Sequence, residues 1–252
     1  MYRAACHVHS DWSYDGRWTL QALAGSFRKR GYNLVLTTEH DRGFTEERRL
    51  RHRTACAEAS DEDVCVIPGI EYSDAQNQVH VLVWGDVPFL GEGLPTSKLL
   101  EEVEKAKGVA VLAHPTRKAA WKLFDPKWAE SLVGIELWNR KTDGWAPSRA
   151  ARKLIEMTQL PSYFGLDFHD TNQFFPCAMR LCLNGPATEL SVIAALKDRR
   201  VAGEVFGGSW LTAPGPVADY ALMGAEIFRR TLARSIRKFR RRNVIRKKVN
   251  KI

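Results

Sequence analysis

Short apolar runs rich in Val, Ile and Leu alternate along this chain with stretches whose apolar positions recur at helical spacing. The runs predict strands at Arg3–His9, Leu34–Thr38, Val64–Ile67, Val79–Trp84, Val109–Ala113, Gly134–Trp138, Tyr163–Leu166 and Met179–Leu183. The periodic stretches predict helices at Leu20–Arg30, Thr45–Ala59, Thr96–Lys107, Pro147–Met157 and Glu189–Arg199, and a long one at Val217–Arg242. Local chemistry supports their ends. Thr19 can cap the first helix and Gly31 follows it, Gly108 follows the third, and Pro147 lies near the first turn of the fourth. The segment Ala202–Phe206 is ambiguous. Strands of this composition separated by helices read as parallel βα units. About seven of them in one chain predict a barrel rather than an open sheet.

At 252 residues, with 44% hydrophobic and 27% charged positions, the chain has the make-up of a globular protein, which excludes disordered, collagen-like and fibrous classes. No apolar run approaches the roughly 18 residues of a membrane span. The opening MYRAACHVHS has no apolar signal core, and the expectation is a soluble, cytoplasmic protein with no transmembrane segment. The net charge of +9 misleads as an average. Phe228–Ile252 holds twelve Lys or Arg and no acid, which leaves 26 basic and 29 acidic groups elsewhere. The body is therefore mildly acidic. A composition shift at Trp210–Pro216 divides a predicted barrel, residues 1–214, from a basic amphipathic helix and tail, residues 215–252. Five cysteines at irregular spacing, with no CxxC, favour reduced thiols over a disulfide framework; a Cys177–Cys182 redox pair is the other reading.

The seven histidines carry the most information. His7 and His9 end the first predicted strand, and His40 follows the second. His80 opens Val79–Trp84, His114 follows Val109–Ala113, and His169 follows Tyr163–Leu166. His52 alone falls inside a predicted helix. Asp15, Glu71 and Asp167 occupy similar places. Strand ends converge at the mouth of a parallel barrel, and crowded imidazoles and carboxylates are costly there without cations. One metal that keeps a water takes three or four protein ligands, so this set suits two or three divalent ions. Each residue alone has a plainer reading: His7-Val8-His9 as strand structure, His80 as a core histidine, Glu71 as a helix cap, Asp15-Gly16 as a turn. The joint pattern favours ligation. Mixed nitrogen and oxygen ligands suit Zn, Mn or Fe.

These segments resemble the motifs of the PHP (polymerase and histidinol phosphatase) superfamily. His7-Val8-His9-Ser10 with Ser13-Tyr14-Asp15-Gly16 resembles its first motif, and Thr38-Glu39-His40-Asp41 its second, where Glu39 replaces the usual Asp. Pro68-Gly69-Ile70-Glu71, His80-Val81-Leu82, Ala113-His114-Pro115, Gly134-Ile135-Glu136-Leu137-Trp138-Asn139 and Gly165-Leu166-Asp167-Phe168-His169 resemble later ones in the family's order. The resemblance implies a distorted seven-stranded (β/α) barrel with a trinuclear site and a metal-dependent phosphoesterase activity. It implies that His7, His9, Glu71 and Asp167 hold one ion. Glu71, His80 and His114 would hold a second, and Asp15, His40 and His169 a third.

Arg17 and Arg117 follow site motifs and are the candidates for binding substrate phosphate, ahead of Arg140 and Lys141. Trp12, Trp18, Trp121 and Trp138 fit packing over the mouth or stacking on a base. Glu39, Asp41, Glu136 and Asp170 border the ligands and are candidates to orient imidazoles. In the basic helix, Leu222, Ile227, Phe228, Leu232, Ile236 and Phe239 recur at helical spacing among arginines. Such a helix suits nucleic acid or an anionic membrane, or it packs on the barrel with a solvated end. The expected function is hydrolysis of a phosphate ester: a nucleotide, an oligonucleotide end or a small phosphomonoester. The alternatives are a nucleic-acid-binding protein with a non-catalytic PHP-like barrel, or a hydrolase of a non-phosphate ester or amide.

Overall fold

In a computed structural model of the chain, residues 1–209, 222–229, 231 and 232 are described. The strands are β1 (Tyr2–Val8), β2 (Leu34–Thr37), β3 (Glu39–His40), β4 (Cys65–Ile67), β5 (Gly69–Ser73), β6 (His80–Trp84), β7 (Val109–Ala113), β8 (Gly134–Asn139), β9 (Ser162–Gly165), β10 (Cys177–Leu181), β11 (Val201–Val205) and β12 (Gly208–Ser209). They form two six-stranded sheets, ordered β12-β11-β10-β1-β2-β4 and β3-β5-β6-β7-β8-β9. β2 and β3 are successive pieces of one extended segment interrupted at Thr38. β4 and β5 are likewise interrupted at Pro68, which has no N–H to give a ladder. At the opposite end of the second sheet, the chain beyond β9 bonds to β1. Leu166 N donates to Cys6 O, Phe168 N to His7 O, and His9 N to Phe168 O, at 2.9, 3.1 and 2.9 Å.

The expectation of uniformly parallel strands holds for β1-β2-β4, β3-β5 and β7-β8-β9 and fails elsewhere. β6 is antiparallel to both β5 and β7, and β10 is antiparallel to β1 and β11. The residues between β5 and β6 are too few for a parallel crossover, which needs a dozen or so, and they make a hairpin. The ambiguous segment near Ala202 is β11, and β5 extends strand structure through Glu71.

The helices are α1 (Leu20–Arg28), α2 (Glu46–Glu58), α3 (Thr96–Lys105), α4 (Trp128–Ser131), α5 (Arg140–Asp143), α6 (Arg149–Thr158) and α7 (Glu189–Lys197). Thr19 caps α1 by accepting from Ala22 N at 3.2 Å, and Leu20, Leu23, Ala24 and Phe27 form its buried stripe. Ser148 caps α6 through Ala151 N at 3.0 Å, with Pro147 just before it. The core holds the fully buried Trp84, Trp138, Phe27 and Phe168, and Trp84 Nε1 donates to Thr37 O at 2.8 Å. All five cysteines are free thiols.

The chain divides into two units, Met1–Asp143 with Pro147–Thr212, and Gly144–Ala146 with Ala213–Ile252. In the second, 222–229, 231 and 232 are helical, and Glu226 accepts from Trp145 N at 2.9 Å and from both arms of Arg229 at 2.7 Å. The remainder of the long basic helix expected at Val217–Arg242 lies outside the described residues. Among the described residues no helix is long and apolar enough to cross a membrane.

One buried acid in the first unit gives a pH-dependent stability. Asp143 at the end of α5 accepts from Thr116 Oγ1 at 2.5 Å and Asn139 N at 2.9 Å. Burial pushes its carboxyl up to about 6 from 3.8, against those hydrogen bonds. A raised carboxyl means that the folded chain holds a proton that the unfolded chain releases. Its contribution is complete below about pH 4 and is lost as pH rises through 6. The loss amounts to roughly 3 kcal/mol at most. Denaturant melts in chelator between pH 4 and 7 are expected to show this decline in the native chain and a flatter profile in Asp143→Asn.

Candidate metal centre

Glu71, in the middle of β5, is the point on which the histidines converge. Its Oε2 lies 3.5 Å from His7 Nε2, 3.4 Å from His9 Nε2 and 3.1 Å from His40 Nδ1. Its Oε1 lies 2.6 Å from His80 Nδ1 and 2.9 Å from His114 Nε2. Asp167 enters from beyond β9, with Oδ1 3.8 Å from His9 Nε2 and 3.4 Å from His169 Nδ1, and Oδ2 4.0 Å from His114 Nε2. Asp15 closes the open side, 3.3 Å from His40 Nε2 and 3.1 Å from His169 Nε2. The nine residues singled out from sequence therefore meet in one place. Four sets bring their donor atoms within 4.8 Å of one another: His7, His9 and Glu71; Glu71, His80 and His114; His7, His114 and Asp167; and His9, His40 and His169.

Backbone conformation aims these side chains. His7, His114 and Asp167 have positive φ values of 60°, 22° and 50°. The parallel pairing of β1 with β2 shifts register between Cys6 and Val8, so His7 occupies a bulge. His7 and His9 thus reach Glu71 together through a re-aimed bulge residue, not through plain strand alternation. Non-glycine residues at positive φ cost of order 1–3 kcal/mol each and collect at functional sites.

Burial, taken alone, would raise Glu71, but His80 and His7 beside it hold its carboxyl well below the ordinary range. Asp167 is held down in the same way, chiefly by His7, Lys141 and His114 against its burial. Asp15 is lowered by hydrogen bonds to His169 and His40, again against burial. All three stay anionic. His9 is pushed down by burial and by His40 and His169.

The donor set fits divalent cations. His7 Nδ1 donates to Glu136 Oε1 at 2.8 Å and its Nε2 points at Glu71 and Asp167; against the effect of burial, Glu136, Glu71 and Asp167 raise the ring well above its ordinary value, and a cation here would take the place of the Nε2 proton. Ser13 Oγ gives its hydrogen to Glu39 and so accepts from His9 Nδ1 at 3.3 Å, which leaves the lone pair of the neutral His9 ring on Nε2. Both Nε2 atoms are buried without a hydrogen-bond partner. A buried polar atom without a partner is costly, and a cation among these carboxylates would complete it.

Glu136 and Glu39 brace these residues from behind. Glu136 Oε2 accepts from His114 N at 2.7 Å and Asn139 Nδ2 at 3.0 Å, and a Cβ at Gly165 would overlap its other oxygen. Glu39 accepts from Ser10 Oγ and Ser13 Oγ, both at 2.6 Å, while Ser13 Oγ accepts from His40 N at 3.0 Å. His52, outside the ligand set, sits in α2 with Nε2 3.6 Å from Glu39 Oε1. Asp41 accepts from Ser73 N at 3.0 Å. Asp170 holds Arg17 at 3.1 Å.

A cavity of about 380 Å³ opens on the centre; Tyr14, Arg42, Arg117 and Lys141 lie in its wall with Asp74 and Glu92. Arg117 is thus at the mouth. Arg17 is not in this wall; its side chain is 74% exposed and turned to Asp170. Lys141, ranked behind both arginines on sequence, lies 3.1 Å from Asp167 Oδ1 and 3.2 Å from His169 Nε2. Its signal was its place directly after the β8 segment. Tyr14 stacks on His40 at 5.0 Å, with Arg42 5.5 Å above the Tyr14 ring.

This fold is that of PHP-like proteins. It matches a two-domain protein from Bacteroides vulgatus containing a predicted PHP-like metal-dependent phosphoesterase, with a TM-score of 0.63 and 17% identity over 81% of this chain and 64% of that one. It also matches PsfC from Pseudomonas syringae (TM-score 0.58, 19% identity, 92% of this chain and 100% of that one). A third match is the lesion-specific endonuclease PfuEndoQ from Pyrococcus furiosus (TM-score 0.53, 16% identity, 78% and 56%). The chain thus spans less than two thirds of the Bacteroides and Pyrococcus chains. No family model matches the sequence, and no curated protein does.

Proposed function

We propose that this chain is a metal-dependent phosphoesterase. The observation that carries the reading is the convergence of His7, His9, Asp15, His40, Glu71, His80, His114, Asp167 and His169 around two partnerless imidazole nitrogens. The likeness to PHP-like folds supports it, as do the hydrogen bonds that tie the end of β9 to β1, which suit a distorted seven-stranded barrel. Two or three divalent ions, Zn, Mn or Fe, would be held with Glu71 as the shared ligand, Asp167 beside His7 and His9, and Asp15 between His40 and His169. Such ions supply Lewis-acid charge that activates water and polarises a phosphoryl group.

The chain's own residues prepare this chemistry. Glu136 and Ser13 fix which nitrogen of His7 and His9 faces inward. Arg117 and Lys141 place positive charge in the cavity wall, where the phosphate's remaining oxygens would lie. Hydrolysis adds water across the P–O bond and releases an alcohol. The substrate class is a nucleotide, an oligonucleotide end or a small phosphomonoester, and the name of the Pyrococcus endonuclease adds weight to nucleic-acid phosphate.

Protein purified without chelator is expected to retain two or more metals per chain by elemental analysis and to hydrolyse p-nitrophenyl phosphate or its bis ester with added Mn²⁺. The Asp167→Ala, His169→Ala double variant should lose turnover. Bound metal without turnover on either ester would sink the reading and favour a non-catalytic scaffold that binds nucleic acid. Arg117→Ala is expected to raise KM about tenfold or more while kcat changes less, since a charged hydrogen bond contributes about 1.5–3 kcal/mol. An unchanged KM would remove Arg117 from substrate binding.

A further inference from the structure

The hairpin loop between β5 and β6 turns at Asn77, whose backbone has φ 51°. Main-chain and Asp74 bonds close this turn: Asn77 N donates to Asp74 O at 2.8 Å and Gln78 N to Asp74 Oδ1 at 2.6 Å. None of them uses the Asn77 side chain. That side chain instead meets His80 and Arg117. Its Oδ1 lies 2.6 Å from His80 Nε2 and 3.1 Å from Arg117 Nη2, while its carbonyl accepts from Arg117 Nη1 at 3.0 Å and Lys118 Nζ at 2.7 Å.

Proton placement follows from these partners. Arg117 can only donate, so the atom that it meets on Asn77 is the amide oxygen. Facing that oxygen, His80 Nε2 donates when Nδ1 gives its lone pair to a cation in the Glu71–His80–His114 group; without a cation, Glu71 Oε1 draws the hydrogen to Nδ1 instead. Nδ1 is the atom 2.6 Å from Glu71 Oε1, on the side shared with His114. A rival contact exists, because Arg117 Nη1 also lies 2.9 Å from His80 Nε2. That contact demands a lone pair on Nε2 and hence a hydrogen on Nδ1, which blocks ligation. The two contacts cannot be satisfied by one tautomer.

We infer that Asn77 is a positioning residue: its amide oxygen favours the His80 tautomer that would ligate through Nδ1 and, with its carbonyl, anchors Arg117 beside the ring in the cavity wall. This rests on the metal-dependent reading above. Asn77 therefore ties the filling of the Glu71–His80–His114 group to the readiness of the phosphate-binding arginine.

The test titrates Co²⁺ into chelator-treated full-length chains, following the visible absorption of bound cobalt and competition by a chelator. Asn77→Gly keeps the left-handed turn and removes the oxygen; Asn77→Asp keeps both. Asn77→Gly is expected to weaken one cobalt equivalent about tenfold or more, with Asn77→Asp within about threefold of the native chain and metal-free melting unchanged in both. Kinetics on bis-p-nitrophenyl phosphate should show Asn77→Gly raising KM as well as lowering kcat. Native-like cobalt binding by Asn77→Gly overturns the inference, and so does equal loss in both variants, since either leaves the oxygen without a role. A native chain that takes up no cobalt would overturn the metal-dependent reading with it, so the two failures are distinguishable.

Discussion

Glu71→Ala is expected to strip the centre of metal and to lower kcat on a phosphate ester about a thousandfold or more. Among the described residues no other carboxylate touches so many of these histidines: its two oxygens lie within 3.5 Å of His7, His9, His40, His80 and His114. Removing it deletes the negative charge that two of the donor groups share. It also leaves five imidazoles facing one another, with Asp167, Asp15 and, behind His7, Glu136 the acids still beside them. Glu71→Gln is the sharper variant, because it keeps the shape and one acceptor oxygen while removing the charge. Elemental analysis of both variants should show fewer metals per chain than the native protein. A full metal complement in Glu71→Ala would mean that Glu71 is not the shared ligand.

Gly165→Ala is expected to destabilise the fold by about 2–4 kcal/mol and to lower Tm on the order of 10 °C. Gly165 ends β9 with ordinary backbone, so the constraint is space. A Cβ there would overlap Glu136 Oε1 and lie 3.1 Å from His7 Cβ. Glu136 cannot swing aside without releasing His7 Nδ1, His114 N and Asn139 Nδ2, all in the buried core. One methyl group should therefore cost stability and metal affinity together. Gly25→Ala is the control: Gly25 lies in α1 with nothing within 4 Å of the added atom, and alanine there should be neutral or stabilising by up to about 1 kcal/mol. Equal melting of Gly165→Ala and the native chain would show that Glu136 relaxes freely.

The convergence of the nine candidate residues was readable in the sequence because ligation would restrict residue type and strand ends restrict place. Thr19 as a cap was readable for the same local reason. The direction of β6 was not. His80-Val81-Leu82-Val83-Trp84 has the same apolar character whichever way it runs, and only the short loop before it carries the information. The bulge at His7 was hidden because a β-bulge has no residue signature when its φ is adopted by a histidine. Lys141 lies against Asp167 and Arg17 outside the cavity wall, the reverse of their order on sequence, because their placement depends on how a loop returns. Both follow a site segment, but α5 carries Lys141 to Asp167, while Arg17 meets Asp170 at the surface. Asn77 was missed because Asn in a turn needs no further explanation.

The reversed course of β6 has a consequence for how this protein can be diversified. Most ligand segments at the mouth follow a strand, so an engineer would randomise the stretches after β1, β7 and β9 to alter substrate choice. His80 instead opens β6. The loop 74–79 therefore reaches the mouth from the strand's entry, and Asp74, Ala75 and Asn77 line the cavity. A library restricted to strand exits would leave this stretch untouched. Ala75 is the position there to vary: it lines the cavity and carries neither the turn bond that Asp74 must keep nor the bonds to His80 and Arg117 that Asn77 must keep, and changing it moves no strand that carries His7, His9 or Asp167.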